Sequence, residues 1–287
     1  MAKVVQIQRP YTRKPPAGVR PNWSRIGLPV PEFWMPLNEG AGDPSAFVKG
    51  ARRQADTKTN VSSEWTIQPR GLHYRPATTA VNAALAWDNV ITALGTGGDV
   101  TSLVSFRTAS GFAAGIQYLL SLETYDPGLI AINSGAEIYN WYGSAIDTGD
   151  FIAANENHVA ASYRHTGTRY IKDALNGGAL YSNSAANSSN MAGTEIVLNA
   201  ENSSASSYSS QEDIFYNWVV VWRQKIPEAV ITKMLWDDNY IWKIYSRPLP
   251  IFIPAAAPGG GWSGKFNEVD SPLSINESTI EKVNEVA

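Results

Sequence analysis

The stretch Asp213-Ile-Phe-Tyr-Asn-Trp-Val-Val-Val-Trp222, followed by Arg-Gln-Lys-Ile-Pro-Glu-Ala-Val-Ile-Thr-Lys-Met-Leu-Trp236, decides how this chain is read. From Ile214 to Trp222 nearly every residue is β-branched or aromatic, and neither Gly nor Pro interrupts the run, the pattern of a long strand covered on both faces. The period then changes. Pro227 suits a first helical turn, Glu228 suits the positive end of a helix, and Val230, Ile231, Met234 and Leu235 recur on one face. A central sandwich strand, then a short helix lying on the sandwich, is the expected order.

Working upstream, short β-rich runs alternate with turn signals, as in an all-β sandwich. Strands are expected at Thr66–Tyr74, Val100–Thr108, Gly115–Leu122, Leu129–Asn133, Glu137–Tyr142, His158–His165, Arg169–Lys172 and Glu195–Leu198. Asp126-Pro-Gly128, Asn133-Ser-Gly135, Thr166-Gly167 and Asn176-Gly177-Gly178 separate apolar runs with residues that accept positive φ, so they mark hairpins. The Ala-rich residues 77–95 suggest a helical turn within a loop. Residues 182–190 and 199–210, rich in Ser and Asn, read as surface loops.

The two ends differ in charge. Residues 1–31 hold Lys3, Arg9, Arg13, Lys14, Arg20 and Arg25, no acid and six prolines, which predicts an extended basic arm. Such an arm can bind its own acidic body, an acidic neighbour or nucleic acid. Six charges spread among prolines make a weak footprint for nucleic acid, and composition fits a disordered tail as well as an arm that docks on a partner. As a docking arm it would anchor through Tyr11, Trp23 and Ile26, with Arg9, Arg13, Lys14, Arg20 and Arg25 around them. At the other end, 246–264 reads as a Pro- and Gly-rich linker, and 265–287 is acidic. That tail repeats an apolar residue followed by Asn-Glu at Phe266-Asn267, Ile275-Asn276 and Val283-Asn284. A segment this short orders only against another surface.

Composition narrows the class. Ten Trp and thirteen Tyr supply large buried areas, while charged residues make up 17%, below the ~25% of ordinary soluble domains. The deficit fits a β chain that buries outer surface in an assembly. With no Cys there are no disulfides, thiolate metal sites or Cys nucleophiles. No stretch approaches ~18 apolar residues, and the N-terminus lacks a signal-peptide core, so no membrane partner is expected.

The late hydrophobic strand, the Ile226-Pro-Glu228 helix start and the aromatic exit Trp242–Pro254 together resemble the C-terminal end of laminin-G-like, concanavalin-type jelly rolls found in many phage structural proteins. Phe33-Trp-Met-Pro-Leu-Asn-Glu-Gly-Ala-Gly-Asp43 resembles the family's opening strand and turn. Asn155–Tyr163 with Arg164–Lys172 resembles an adjacent strand pair, Asn176-Gly177 standing at its usual turn. The tail resembles virion-protein tails in which an apolar-Asn-Gly unit recurs, with Glu here in place of Gly. The resemblance implies a single jelly-roll domain over 32–245, one short C-terminal helix, an extended N-terminal arm and a C-terminal tail. It also implies a virion protein made in the host cytoplasm, a capsid decoration or head or tail fibre component. Its partners would be capsid, portal or tail proteins, copies of itself, a trimer by virion symmetry, and a host glycan.

Catalysis finds little support. Retaining glycosidases of this fold set two carboxylates on one strand, two or four residues apart, and no expected strand has that run. Glu123 and Asp126 are three apart, while Glu212-Asp213 and Asp237-Asp238 are adjacent pairs at element ends, read as solvated or capping. His158 and His165, seven apart, face opposite ways on a strand, and no phosphate-binding Gly-rich loop or nucleophile elbow occurs. Asp43, Asp147 and Asp150 are the loop carboxylates offered for Ca²⁺, without a dense ligand cluster; otherwise no cofactor is expected. Trp87, Trp141, Tyr142 and Tyr208 either stack on sugars or pack in the core or between subunits. A non-enzymatic virion protein displaying a lectin-like domain is the leading expectation, with a host-glycan adhesin next and a glycoside hydrolase third.

Overall fold

The strand Ile214–Trp222 forms as expected and carries two cores at once. Ile214, Tyr216, Val219 and Val221 face one apolar cluster, and Trp218, Val220 and Trp222 face another. The computed structural model describes residues 3–15, 19–37, 44–59, 65–68, 71–74, 84–95, 98–108, 116–122, 128–133, 135–141, 145–152, 154–165, 168–175, 180–186, 192–200 and 213–253.

Among these residues the strands run in chain order as follows. The first seven are β1 (Lys3–Pro10), β2 (Phe33–Met35), β3 (Ser45–Val48), β4 (Ala51–Gln54), β5 (Thr57–Thr59), β6 (Trp65–Gln68) and β7 (Gly71–Tyr74). Next come β8 (Ala84–Trp87), β9 (Val100–Thr108), β10 (Gln117–Leu122), β11 (Gly128–Ile132), β12 (Glu137–Trp141) and β13 (Ala145–Phe151). The last are β14 (His158–His165), β15 (Thr168–Leu175), β16 (Leu180–Ala186), β17 (Ile196–Leu198), β18 (Ile214–Trp222) and β19 (Ser246–Ile253). One α-helix, α1 (Glu228–Trp236), and two 3-10 turns, Trp23–Ile26 and Tyr240–Ile244, complete the list.

Two antiparallel sheets make an all-β sandwich of the jelly-roll kind. One has the order β13-β12-β11-β10-β17-β8-β5, and the other β16-β15-β14-β9-β18-β2-β3-β4, with β6-β7 joined to β18 beside β2. Between them lie Phe33, Met35, Val104, Phe106, Leu120, Ile130, Ile132 and Ile196, all without exposure. The larger sheet is covered again on its far side. There α1 sets Ile231, Met234 and Leu235 against β14 and β15, as its apolar spacing foretold.

This second core is built from tryptophans. Trp23 meets Trp34 and Trp222 edge to face at 5.3 and 5.5 Å, and Trp34 lies 5.8 Å from Trp242. Buried indoles need acceptors, and these have them: Trp34 Nε1 donates to Tyr245 Oη at 2.9 Å, Trp222 Nε1 to Pro29 O at 3.0 Å and Trp218 Nε1 to Asp238 O at 3.0 Å. The arm is therefore partly a wall of its own body. Trp23, expected to anchor on a partner, is 4% exposed, and Tyr11 and Ile26 pack on the same cluster. Of the readings open to a basic arm, binding its own body is the one these residues adopt.

The exit also departs from expectation. Ser246–Ile253, expected to be linker, pairs antiparallel with Lys3–Pro10 in an eight-pair ribbon. Tyr11 N–H donates to Tyr245 O at 3.1 Å and continues that ladder. Pairs in phase with it, such as Arg9/Arg247 and Ile7/Leu249, are the hydrogen-bonded ones. Pro10, Pro248 and Pro250 all fall in the intervening pairs, where the N–H would point outward, so the prolines cost the ribbon no bond. Proline content misled because spacing, rather than number, decides whether a strand tolerates it.

Other differences are local. Thr66–Tyr74 is a hairpin, β6 and β7, rather than one strand, and 84–87 is a buried strand instead of a helical turn. The neighbours of Ala84–Trp87 in the smaller sheet overrode its helical composition. β13 and β16, rich in Asp, Thr, Ser and Asn, had no apolar signal to read. The 254–264 part of the expected linker and the tail lie outside the described residues.

Two substitutions test this arrangement. Trp23→Ala should lower unfolding free energy by about 3–5 kcal/mol in denaturant titration, the cost of emptying a buried indole site; a free arm would show no change. Gly71 has φ +153, and a Cβ there would stand 2.0 Å from Tyr216 O. Gly71→Ala should therefore cost on the order of 3 kcal/mol in the same titration.

Candidate functional site

The register of β18 changes in the middle. Tyr216 pairs with Phe106 and Trp218 with Ser105 of β9, so Asn217 is the extra residue of a bulge. Before it the even-numbered residues face the inter-sheet core, and after it the odd-numbered ones do. The bulge thus brings Phe215, Asn217 and Trp218, near-neighbours in sequence, to the rim of one outer cavity.

That cavity has a volume of ≈ 250 Å³. Its apolar walls are Phe215, Trp218 and Trp242; Asn157, Asn217 and Asn239 supply amides, Lys14 and Arg107 supply positive charge, and Asp238 is the one carboxyl among the lining residues. Each wall is braced. The Arg107 guanidinium lies 4.3 Å over the Phe215 ring, whose plane is within 9° of His73 stacked 3.8 Å away. His73 is in turn held by Gln68 Nε2, 3.2 Å from Nδ1, and by a short contact of Nε2 with the Asp213 carboxylate. Asn217 Nδ2 donates to Ser105 Oγ at 3.1 Å, and Lys14 Nζ donates to Leu37 O at 2.9 Å while lying 5.6 Å from the Trp242 ring centre.

Asp237, exposed at the C-cap of α1, fits the solvated-or-capping reading, but Asp238 is half-buried, which corrects that reading for this residue. Burial first, and then the neighbouring Asp237 carboxylate, push its pKa up, with Lys14 pulling the other way. Its Oδ1 accepts from Asn239 Nδ2 at 2.8 Å. Phe215 is sandwiched between His73 and Arg107, and Trp218 and Trp242 are 1% and 3% exposed, so the rings shape the cavity while the amides, two cations and one carboxyl are the groups that can bond several hydroxyls. The two-carboxylate route to glycoside hydrolysis needs a second acid, and none is among the lining residues.

The residues expected to bind sugar are placed elsewhere. Trp87 is fully buried against Phe33 at 5.1 Å, with Nε1 donating to Arg53 O at 3.3 Å, so it is a core residue. Trp141 ends β12 with its side chain outside the described set, and Tyr142 and Tyr208 lie outside it altogether. Among the Ca²⁺ candidates, Asp43 and the Asp150 side chain are outside the described residues. Asp147 sits in β13, where its backbone O accepts from Asn183 Nδ2 at 2.9 Å. No group of three or more His, Cys, Asp or Glu converges among the described residues. Each histidine instead meets an aspartate: His73 with Asp213, His158 with Asp173 at 3.2 Å and His165 with Asp99 at 3.1 Å.

Of the arm, Lys14 enters the cavity just described, Arg20 borders a different groove, and Arg13 and Arg25 are exposed. Arg9 lies in β1 with its side chain outside the described set. The tail residues Phe266, Asn267, Ile275, Asn276, Val283 and Asn284 also lie outside it. Sequence reasoning missed Phe215, Asn217, Trp218, Arg107, Asn157, Asp238, Asn239 and Trp242 as a site. The one available signal was Asn217 itself, a polar residue breaking an apolar strand.

No family model matches this chain, and no curated protein matches it. Solved structures do. Trypanosoma rangeli sialidase in complex with 2,3-difluoro-KDN is 12% identical, with a TM-score of 0.50, over 73% of this chain and 33% of that one. The same enzyme in complex with 2,3-difluorosialic acid, a covalent intermediate, is 11% identical with a TM-score of 0.50 over the same shares. The botulinum neurotoxin serotype G binding domain is 11% identical with a TM-score of 0.48, over 72% of this chain and 51% of that one. The match takes in only about a third of the sialidase chain. At these identities the sialidase likeness shows the fold alone, a β-sandwich.

Asp238 also yields a pH test. A carboxyl whose folded pKa is raised adds stability below its unfolded value, near 3.8, and that contribution is lost as pH rises through the folded value. Asp238→Asn, which keeps an acceptor for Asn239, should raise Tm at pH 7 and leave it unchanged at pH 3.5, measured by thermal unfolding across that range.

Proposed function

We propose that this chain is a non-enzymatic virion protein whose jelly-roll sandwich works as a lectin-like binding module. The observation that carries the binding reading is the ≈ 250 Å³ cavity at the β18 bulge, where braced aromatic walls alternate with amides and cations. Saccharides suit such a site, since their hydroxyls need several donors and acceptors at once and the ring-lined walls keep those polar groups in place. The virion setting rests on the sequence resemblance and the repeat-bearing tail. Capsid, portal or tail proteins are then the partners, together with copies of this chain, a trimer by virion symmetry, and a host glycan. Many copies on one particle would make weak single-site binding sufficient. The non-enzymatic reading is supported by the single carboxyl in the cavity.

The test is a glycan array with the full-length chain, followed by calorimetry on the best ligand. Arg107→Ala and Asn157→Ala should each weaken binding about tenfold, the loss expected of one charged or well-placed hydrogen bond, with Tm little changed. Absence of glycan binding at millimolar concentration would remove the lectin role and leave the structural one. Release of reducing ends from a polysaccharide would overturn the non-enzymatic reading.

A further inference from the structure

A second concavity, of ≈ 510 Å³, lies apart from the bulge site. Trp23 and Trp34 lie beneath it with almost no surface of their own exposed; the apolar surface it offers comes from Val19 and Pro21 of the arm on one side and Phe47 in the β3–β4 hairpin on the other. Val30, 62% exposed, stands in its lining, and Arg20 and Arg52, both exposed, add positive charge. A concavity of this size with an exposed Val at its edge has room for an apolar side chain. Its occupant must offer an apolar side chain and a negative charge close by.

The chain itself contains such a ligand. The tail repeats an apolar residue followed by Asn-Glu, and residues 265–287 hold two lysines against five acids. We propose that Phe266-Asn267-Glu268 of the chain's own tail docks in this groove, Phe266 against Val19, Val30 and Phe47 and Glu268 toward Arg20 and Arg52. In an extended segment, residues two apart share a face, so Phe266 and Glu268 reach the same groove. Phe266 is the bulkiest of the three apolar repeat residues and the first the chain reaches.

The covalent path allows it. The ribbon starts beside the groove, since Asn22 N–H, next to the lining Pro21, donates to Ile244 O at 2.6 Å. From Ser246 to Ile253 the chain runs about 23 Å along the ribbon at ~3.3 Å per residue. The residues from Ile253 to Phe266 span up to ~45 Å, enough to return with slack, and Gly259-Gly260-Gly261 permit the reversal. Exposed ion pairs contribute little, so Phe266 carries most of the affinity and Glu268 fixes direction. The proposal is independent of the glycan reading, because the two cavities share no lining residue.

The chain has no Cys, so paired cysteines report proximity in the full-length protein. Ala51→Cys, exposed on β4 beside the groove, is combined with Asn267→Cys. The control combines Asn267→Cys with Ser182→Cys, exposed on β16 at the opposite edge of the same sheet. Under mild oxidation, the first pair should form an intramolecular disulfide at least about tenfold faster than the control, through its higher effective concentration. Adding Phe266→Ala should bring it down to the control rate. Equal rates in the two pairs, an unchanged rate with Phe266→Ala, or disulfide-linked dimers alone would overturn the proposal.

Discussion

The structure depends on one strand having to satisfy two hydrophobic environments. β18 sits between β9 on one side and β2 and β7 on the other, and both of its faces are roofed by apolar side chains. A strand of period two can feed both cores only if every position is apolar or aromatic, as the run from Ile214 to Trp222 nearly is. Asn217 is the exception, and the sheet accommodates it by a bulge in which its amide bonds Ser105. The parity switch there lets β18 pair with β7 along its first part and β2 along its last. The same irregularity assembles the candidate site.

The second core explains the unusual number of tryptophans. A sandwich of two sheets needs only its inner faces covered, yet here α1, two 3-10 turns and the arm build a third layer over Trp34, Trp218 and Trp222. Indoles suit that place because each buries a large area while its N–H reaches a backbone carbonyl or hydroxyl at the layer's edge. Lys172 strengthens the attachment of α1, pairing with Glu228 at the first turn of the helix. That pairing holds the Glu228 carboxyl below its ordinary range and the Lys172 ammonium above its own, despite partial burial. Ends of the chain distant in sequence thus become one surface, and both described cavities open on it.

Buried polar groups follow the same logic of local closure. Arg164, without exposure, donates from Nε to Gly98 O at 2.8 Å and from Nη2 to Gly95 O at 3.0 Å, tying the segment before β9 to β14. Gln117 Nε2 donates to Asn199 Oδ1 at 2.7 Å, and Tyr216 Oη donates to Leu119 O at 3.2 Å across the sandwich. Desolvation pushes the Tyr216 phenol well above its ordinary pKa, keeping it a neutral donor there. The three histidines are used in the same manner, each with an aspartate, which distributes them as braces instead of a metal cluster.

By itself the sequence determined the class of fold, the central strand, the helix with its buried face, and several outer strands, because those depend on periodicity that short-range packing enforces. Val100–Thr108 and His158–His165 form as strands at the bounds their composition suggested. It also showed the charge division and the tail repeat, which are properties of composition. Only the tertiary structure decided which aromatics are buried, so that Trp87 became core and Trp23 became part of the roof. It alone decided that Pro248 and Pro250 stand at outward positions of a ribbon. It also decided that Phe215, Arg107, Asp238 and Trp242 meet around one cavity. Pairing register and the partner across a sheet are long-range facts, and a one-residue bulge at Asn217 reverses every side chain after it, a change that local sequence period does not fix.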